Sequence, residues 1–130
     1  MRSEAPFRVL ALLSDETDTE AAIAVFEETG VAFTIAQSPE EALAAAEANP
    51  PHALLIDITL PERRGLELLR DLKTAPETRD ALALLVSTRS EEELLPGLDA
   101  LAHDLVMRPV SARELRLRLR AARQVCELRR

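Results

Sequence analysis

The chain is short, acidic and of ordinary composition. It has 130 residues, 47% hydrophobic and 30% charged, and a formal net charge of −7 at pH 7. This length predicts a single domain spanning residues 1–130. The longest apolar run, residues 81–86, falls far below the roughly 20 residues of a membrane span, and we see no secretory leader. The single cysteine, Cys126, excludes an internal disulfide framework and favours a cytoplasmic location.

The charge is unevenly distributed along the chain. Residues 108–130 hold eight arginines and two glutamates, whereas acidic residues dominate the remainder. Because an acidic body repels DNA, we expect it to bind no nucleic acid directly. The only aromatic residues are three phenylalanines, which also argues against stacking on single-stranded bases. We interpret the arginines of the last segment as the solvated face of a helix.

Five short apolar runs alternate with amphipathic segments. The runs predict strands over residues 7–13, 31–36, 53–58, 82–86 and 105–107. The third run is almost entirely apolar, as expected of a strand that is covered on both faces. Strands that alternate with helices indicate βαβ units. The pattern therefore predicts an α/β fold, in which a doubly wound parallel sheet carries helices on both faces.

Four capping boxes mark predicted helix starts. In each box a Ser or Thr is followed three residues later by Glu, so that the hydroxyl and the carboxylate each accept one free backbone N–H. The four boxes are Thr17–Glu20, Ser38–Glu41, Ser90–Glu93 and Ser111–Glu114. Pro96 and Gly97 fall inside the helix that follows the third box, and we expect that helix to be short, kinked or split.

Asp57 ends the central apolar strand, where an uncompensated carboxylate is costly. In doubly wound sheets, binding sites lie beyond the carboxyl ends of the strands. Ser87 ends the fourth predicted strand and Arg108 follows the fifth, so we expect a hydroxyl and a cation to converge on Asp57. The alternative interpretation is that Asp57 only caps the following turn.

The segment Asp57–Leu69 resembles the phosphoacceptor strand and loop of receiver domains from bacterial two-component response regulators. It shows that family's pattern of Asp, three residues, Pro61, three residues, Gly65 and then a helix. Further matches are Gly30 after the first predicted helix, Ser87 after the fourth strand, and Arg108-Pro109, which resembles the family's Lys-Pro. The resemblance covers nearly the whole chain without large gaps.

This resemblance implies a flavodoxin-like (βα)5 fold with strand order 2-1-3-4-5. It implies that Asp57 accepts a phosphoryl group from a histidine kinase or phosphotransfer protein, with Mg²⁺ bound at the site. Ser87 and Arg108 would contact the phosphoryl group. The implied metal ligands are Asp57, Thr59 through its backbone, Ser14 and Asp15. Such a domain turns over no substrate beyond its own phosphorylation, so we do not expect an enzyme.

The metal ligands of the family are incomplete in this sequence. The two adjacent acidic residues after the first strand correspond here to Leu13 and Ser14. A shift of one residue would make Ser14 and Asp15 the pair and restore one carboxylate. Since Mg²⁺ prefers oxygen ligands and Leu13 supplies none, we predict a weakened metal site.

Three further residues depart from the family pattern. Arg108 stands in place of Lys and offers a planar guanidinium, although drift in a chain with fifteen Arg and one Lys is an alternative explanation. Thr88 replaces a small Ala or Gly next to the phosphoryl path. Leu105 takes the position of the family's Tyr or Phe switch residue, and we expect it to stay buried. Together these departures predict an atypical receiver in which phosphorylation is impaired.

The last helix is predicted to run from Ser111 to about Leu128, with residues about 120–130 extending it. One face packs on the sheet and consists of Leu115, Leu119, Ala122 and Cys126. A second apolar arc consists of Leu117, Ala121, Val125 and Leu128. We interpret this arc as an interface for a second copy of the chain or for an output domain. The alternative is that one wide apolar arc faces the body of the domain.

Two other functions remain open at this point. A phosphorylation-independent interaction module of the same fold would bind or dimerise through the last helix. A small flavodoxin-like ligand binder, for example of FMN, is the other alternative. The loop at residues 14–17 argues against FMN, because it is acidic, lacks glycine and would repel phosphate.

Overall fold

A five-stranded parallel sheet forms the centre of the molecule. The computed structural model describes residues 6–88 and 102–129. The strands are β1 (Arg8–Leu12), β2 (Ala32–Ile35), β3 (Ala53–Asp57), β4 (Leu82–Ser87) and β5 (Asp104–Met107). Their order is β2-β1-β3-β4-β5, which confirms the flavodoxin-like α/β topology. Each strand lies within one residue of its predicted bounds.

Helices cover both faces of this sheet, as predicted. Within the described residues they are α1 (Glu16–Thr29), α2 (Pro39–Ala48), α3 (Arg64–Thr74) and α4 (Ala112–Leu128), with a 3-10 turn at Pro61–Arg63. Helices α1 and α4 enclose one hydrophobic core, and α2 and α3 enclose the other. No helix in the described ranges is long and apolar enough to cross a bilayer. The predicted helix that contains Pro96 and Gly97 lies outside the described residues, as does the box Ser90–Glu93.

Two of the predicted capping boxes start helices in the structure. The hydroxyl of Ser38 accepts the N–H of Glu41 at 3.1 Å, and that of Ser111 accepts the N–H of Glu114 at 3.2 Å. Each such cap stabilises its helix by about 1 kcal/mol. Gly30 ends α1 in the left-handed conformation, with φ of 72°, as its position after the predicted helix indicates.

The predicted cap at Thr17 is wrong. Helix α1 begins at Glu16, and its N-cap is Asp15, whose carboxylate accepts the N–H of Asp18 at 3.0 Å. A carboxylate at this position accepts the same bond as a hydroxyl and also places negative charge at the positive end of the helix. Asp15, a predicted metal ligand, therefore has a structural role in starting α1.

The central strand β3 is buried along its whole length. Burial of its apolar side chains Leu54, Leu55 and Ile56 contributes about 2 kcal/mol each. Parallel pairing with β1 on one side and β4 on the other fixes the register of β3. This register determines the point at which Asp57, the last residue of the strand, leaves the sheet.

Helix α4 has one buried face and one exposed apolar arc. The face on the sheet is as predicted, with buried Leu115, Leu119 and Ala122 and half-buried Cys126. The other arc is exposed and consists of Leu117, Ala121, Val125 and Leu128. Because these two sets lie on different sides of the helix, the alternative of a single wide arc against the body is wrong.

Candidate functional site

Asp57 lies at the carboxyl end of β3, and no part of it is exposed to solvent. Its Oδ2 accepts the backbone N–H of Ser14 at 2.9 Å and the Ser14 hydroxyl at 2.6 Å. Its Oδ1 accepts the N–H of Thr59 at 2.8 Å and also the Thr59 hydroxyl. A carboxylate has about four acceptor sites. Each oxygen thus binds one amide and one hydroxyl, and the four donors fill the carboxylate.

The two hydroxyls reach Asp57 because β1 and β3 are neighbours in the sheet. Ser14 lies just beyond β1 and Thr59 just beyond β3, so both side chains are placed over the end of β3. Their hydroxyl oxygens are 3.4 Å apart. Ser14 is exposed, whereas Asp57 beneath it is not. The two hydroxyls therefore form the layer between the Asp57 carboxylate and solvent.

Gly65 allows the first turn of α3 to lie directly against Asp57. A Cβ atom at position 65 would stand 2.2 Å from the carbonyl oxygen of Asp57, much closer than any non-bonded contact permits. Only glycine therefore fits this approach of helix to strand. The close packing of α3 against the end of β3 therefore explains why a glycine stands eight residues after Asp57.

Arg108 lies beside the same pocket, held by a different carboxylate. Its Nε donates to Oδ2 of Asp18 at 2.7 Å, and its Nη1 donates to the Thr59 hydroxyl at 3.4 Å. Its Nη2 lies 3.4 Å from Oδ2 of Asp15. The hydrogen bond to Asp18 raises the pKa of Arg108, and the charges of Asp18, Asp57 and Asp15 raise it further. The guanidinium is therefore permanently charged, but it binds Asp57 only through Thr59.

Asp18 is absent from the predicted site residues. It lies in the first turn of α1 and is only 2% exposed. Besides Arg108, it accepts the backbone N–H of Val110 at 2.9 Å, which links α1 to the segment before α4. Helical spacing puts Asp18 on the same face as buried Ala22 and Val25. A carboxylate on an apolar helix face was the available signal, because a buried carboxylate needs hydrogen-bond donors or a cation as partners.

Ser87 and Leu105 differ from what the sequence led us to expect. Ser87 is buried at the end of β4, but its hydroxyl donates to the carbonyl of Thr88 at 3.2 Å. The hydroxyls on Asp57 come instead from the loops after β1 and β3. Leu105 is half-buried against the core under α2 and α3, whereas we expected it to stay buried. It lies on β5, which is at the edge of the sheet and pairs, among the described strands, only with β4. Contact of Ser87 with a phosphoryl group remains a prediction.

Comparisons with known proteins assign the family. Residues 12–120 match the model of the response regulator receiver domain. The chain belongs to this family. The receiver is 35% identical over 118 residues to the response regulator MprA of Mycobacterium sp. strain KMS, and 34% identical over 116 residues to that of Mycobacterium leprae. These matches cover 89% and 88% of the receiver and 50% of each relative. The chain thus spans about half the length of the curated relatives it matches.

Solved structures of receiver domains share the fold. A putative response regulator from Chloroflexus aurantiacus matches with a TM-score of 0.80 and 28% identity, covering 91% of this receiver and 98% of that chain. A CheY-like receiver domain protein from Methanospirillum hungatei matches with a TM-score of 0.80 and 26% identity, covering 97% and 100%. The domain is therefore a receiver of two-component signalling, and this family membership favours a signalling role over the FMN binder.

Receiver domains typically bind Mg²⁺ for phosphorylation, but the donors in this receiver do not fit that ion. Mg²⁺ requires near-octahedral oxygen ligands at about 2.0–2.1 Å. The side chain of Leu13 supplies no oxygen. The amide and hydroxyl of Ser14 donate to one oxygen of Asp57, and the carboxylate of Asp15 caps α1. In the part of the chain that the structure describes, no three His, Cys, Asp or Glu side chains are grouped to share a metal ion. The hydrogen-bonding capacity of the Asp57 carboxylate is therefore filled by Ser14 and Thr59.

Proposed function

We propose that this receiver is phosphorylation-impaired and signals mainly through the binding of partners. The observation that supports this function is the Asp57 carboxylate, which is fully buried and accepts four hydrogen bonds. Phosphorylation would form a bond between a carboxylate oxygen and phosphorus while the phosphorus–nitrogen bond of a phosphohistidine breaks. The attacking oxygen needs a free lone pair that faces the donor, and here the donors occupy those positions.

The energetic cost of opening the site supports the same proposal. Before an incoming phosphorus atom can reach Asp57, the hydroxyls of Ser14 and Thr59 must turn away. Each such hydrogen bond contributes about 1 kcal/mol, and 1.4 kcal/mol corresponds to a tenfold change in rate. Loss of both bonds therefore slows phosphorylation by about 30-fold. Turning of the Thr59 hydroxyl also breaks its contact with Nη1 of Arg108, which adds to this barrier.

Incubation with acetyl phosphate and Mg²⁺, followed by intact-mass analysis, tests the proposal. We expect the native domain to gain a phosphoryl group at least tenfold more slowly than Ser14→Asp, which restores a carboxylate to the family's acidic pair. Asp57→Asn is the control for the site of modification. Rapid, stoichiometric modification of the native domain that is lost in Asp57→Asn would contradict the proposal.

The remaining assignments are proposals that follow from the family. The upstream partner is a histidine kinase or a phosphotransfer protein. The domain itself catalyses no turnover of a substrate, and any Mg²⁺ at Asp57 is weakly held. A cytoplasmic location accords with the single cysteine of the chain, Cys126, which cannot form an internal disulfide.

A second proposal is that the exposed arc of α4 binds a second copy of the receiver. Leu117 is 55% exposed, Val125 is 42% exposed and Leu128 is 85% exposed. With Ala121 they follow one another at spacings of four, four and three residues, as in helices that pair side by side. An output domain of a longer protein is the other occupant to be tested.

Sedimentation equilibrium of the isolated chain tests this interface. We expect a dimer that Leu117→Glu converts to monomer, because the substitution places a charge in the centre of the apolar arc. Ala44→Glu adds the same charge to an exposed position of α2 and should leave the dimer unchanged. A monomer at high micromolar concentration, or a dimer that is insensitive to Leu117→Glu, would argue for the output domain instead.

A further inference from the structure

The guanidinium of Arg108 lies among three carboxylates. It donates to Asp18 at 2.7 Å, approaches Asp15 at 3.4 Å, and reaches the Thr59 hydroxyl that in turn binds Asp57. These contacts use three different nitrogens of one planar group. The positive charge of this region is thus held in a fixed position by covalent structure rather than by a dissociable ion.

We propose that Arg108, positioned by Asp18, takes the place of the divalent cation in this pocket, so that the acidic site is complete without a metal ion. This inference goes beyond the impaired phosphorylation proposed above, because it identifies what neutralises the pocket. A guanidinium suits the role better than an ammonium, since its planar fork can serve several oxygens at once.

Asp18 determines where this charge lies. It is 2% exposed and accepts both Nε of Arg108 and the N–H of Val110, so it has little freedom to move. The Arg108 side chain is 27% exposed, and its Nη1 reaches the same Thr59 hydroxyl that lies 3.4 Å from that of Ser14. A buried carboxylate that lost its cation would bear a large desolvation cost, which keeps Arg108 in place.

A second explanation for weak metal binding is that an acidic ligand is missing at position 14. The two explanations predict different results once that ligand is restored. If only the ligand is missing, Ser14→Asp is sufficient to create a strong site. If the guanidinium also opposes the ion, the restored site remains weak until the charge of Arg108 is removed as well.

Titration with Mn²⁺, observed as paramagnetic broadening of the amide NMR signals of Ser14, Asp57 and Thr59, separates these explanations. We expect no site-specific broadening of the native domain at millimolar Mn²⁺ and weak broadening in Ser14→Asp. Addition of Arg108→Gln to Ser14→Asp should tighten Mn²⁺ binding at least tenfold. Addition of Arg116→Gln, which removes the same charge far from the pocket, should leave the affinity of Ser14→Asp unchanged.

The fold of each variant is checked by its amide spectrum in the absence of metal. Arg108→Gln keeps an N–H donor for Asp18, and Arg108→Asn replaces it in the Ser14→Asp background if the glutamine variant does not fold. Arg108→Lys keeps the charge, so Mn²⁺ should bind the Ser14→Asp variant that carries it no more tightly than Ser14→Asp alone.

The positioning role of Asp18 has its own readout. The Nε–H proton of Arg108 should exchange slowly with water in the native domain, and Asp18→Asn should accelerate that exchange at least tenfold. Asp15→Asn is the matched control, because asparagine also caps α1 and Asp15 does not bind Nε. Equal exchange in both variants would remove Asp18 from the proposal.

Equal Mn²⁺ affinity of Ser14→Asp with and without the Arg108 substitution would overturn the inference, and so would absence of binding in both. Specific submillimolar binding to the native domain would overturn it as well. None of these measurements involves phosphoryl transfer. The inference can therefore fail while the proposed impairment of phosphorylation holds, and the reverse.

Discussion

The two buried carboxylates of this receiver, Asp57 and Asp18, are stabilised in different ways. Asp57, at the end of β3, accepts four hydrogen bonds from neutral donors. Asp18, in the first turn of α1, accepts one amide and the guanidinium of Arg108. A carboxylate can therefore be buried without a cation in contact with it, as Asp57 is. The guanidinium of Arg108 pairs with Asp18 of α1 and not directly with Asp57 of β3.

The positions of the two carboxylates in the fold explain this difference. Arg108 follows β5, an edge strand separated from β3 by β4. Helices α1 and α4 pack against each other on the same face, which brings Asp18 close to the segment between β5 and α4. Asp57 is instead surrounded by the loops that follow β1 and β3. Loops supply amides and hydroxyls at this point, so Asp57 is satisfied by them.

Removal of the Arg108 charge should have the largest effect on stability. We expect Arg108→Met to lower the free energy of unfolding by about 3–5 kcal/mol, because Asp18 would remain buried with a single amide donor. Arg116→Met is the matched control, since its partner Glu28 has a 56% exposed side chain. That variant should lose at most about 1 kcal/mol. Urea denaturation measures both, and similar losses would contradict the assigned roles.

Asp57→Asn tests whether the four neutral donors stabilise the Asp57 carboxylate at the end of β3. Each oxygen of Asp57 faces a fixed backbone N–H, so the amide group of asparagine must point its NH₂ at one of them in either orientation. We expect the free energy of unfolding to fall by about 2 kcal/mol. Asp71→Asn, at an exposed position of α3, should have little effect. A more stable Asp57→Asn variant would show instead that charge repulsion dominates the pocket.

Ser14→Ala removes only one of the four donors to Asp57. The backbone N–H of Ser14 still binds Asp57, so we expect a loss of about 1 kcal/mol in urea denaturation. Thr17→Ala is the control, because Thr17 is exposed and α1 is capped by Asp15. An equal loss in the control would mean that Thr17 does cap the helix.

His103 offers a titratable acceptor at the opposite end of the sheet. Its Nδ1 accepts the N–H of Ala83 at 2.9 Å. Burial lowers the pKa of His103 below its ordinary 6.5, and the charges of Lys73 and Arg129 lower it further. The folded state therefore favours the neutral ring, and stability should fall as the pH decreases below 6.5 towards the lowered pKa. We expect this effect to be the smallest of the four.

Urea midpoints between pH 5 and 8 measure the contribution of His103. His103→Gln keeps an oxygen acceptor for the Ala83 amide but does not titrate in this range. The variant should therefore show a shallower decline in stability below pH 6.5 than the native domain. Identical pH profiles of the two proteins would exclude His103 as a source of the decline.

Periodicity and element order were sufficient to predict a doubly wound parallel α/β sheet, whereas the strand order 2-1-3-4-5 came from the resemblance to receiver domains. The position of Asp57 also followed, since it ends the most apolar run. The partners of Asp57 did not follow. Residue type alone does not distinguish a hydroxyl that binds a metal from one that donates to a carboxylate, and Ser14 does the latter. The role of Asp18 could not be predicted from its position either. Acidic residues such as Glu40 and Glu114 also lie in the first turns of helices, where they interact favourably with the helix dipole.

The contact at Gly65 couples the pocket to the rest of the molecule. With no side chain between them, the first turn of α3 lies directly against the carbonyl of Asp57 at the end of β3. Arg108 and Asp18 connect the same pocket to α1 and to the segment before α4. The end of β3 thus has contacts that lead to both helical layers. A substitution that shifts either layer should therefore also alter the surroundings of Asp57.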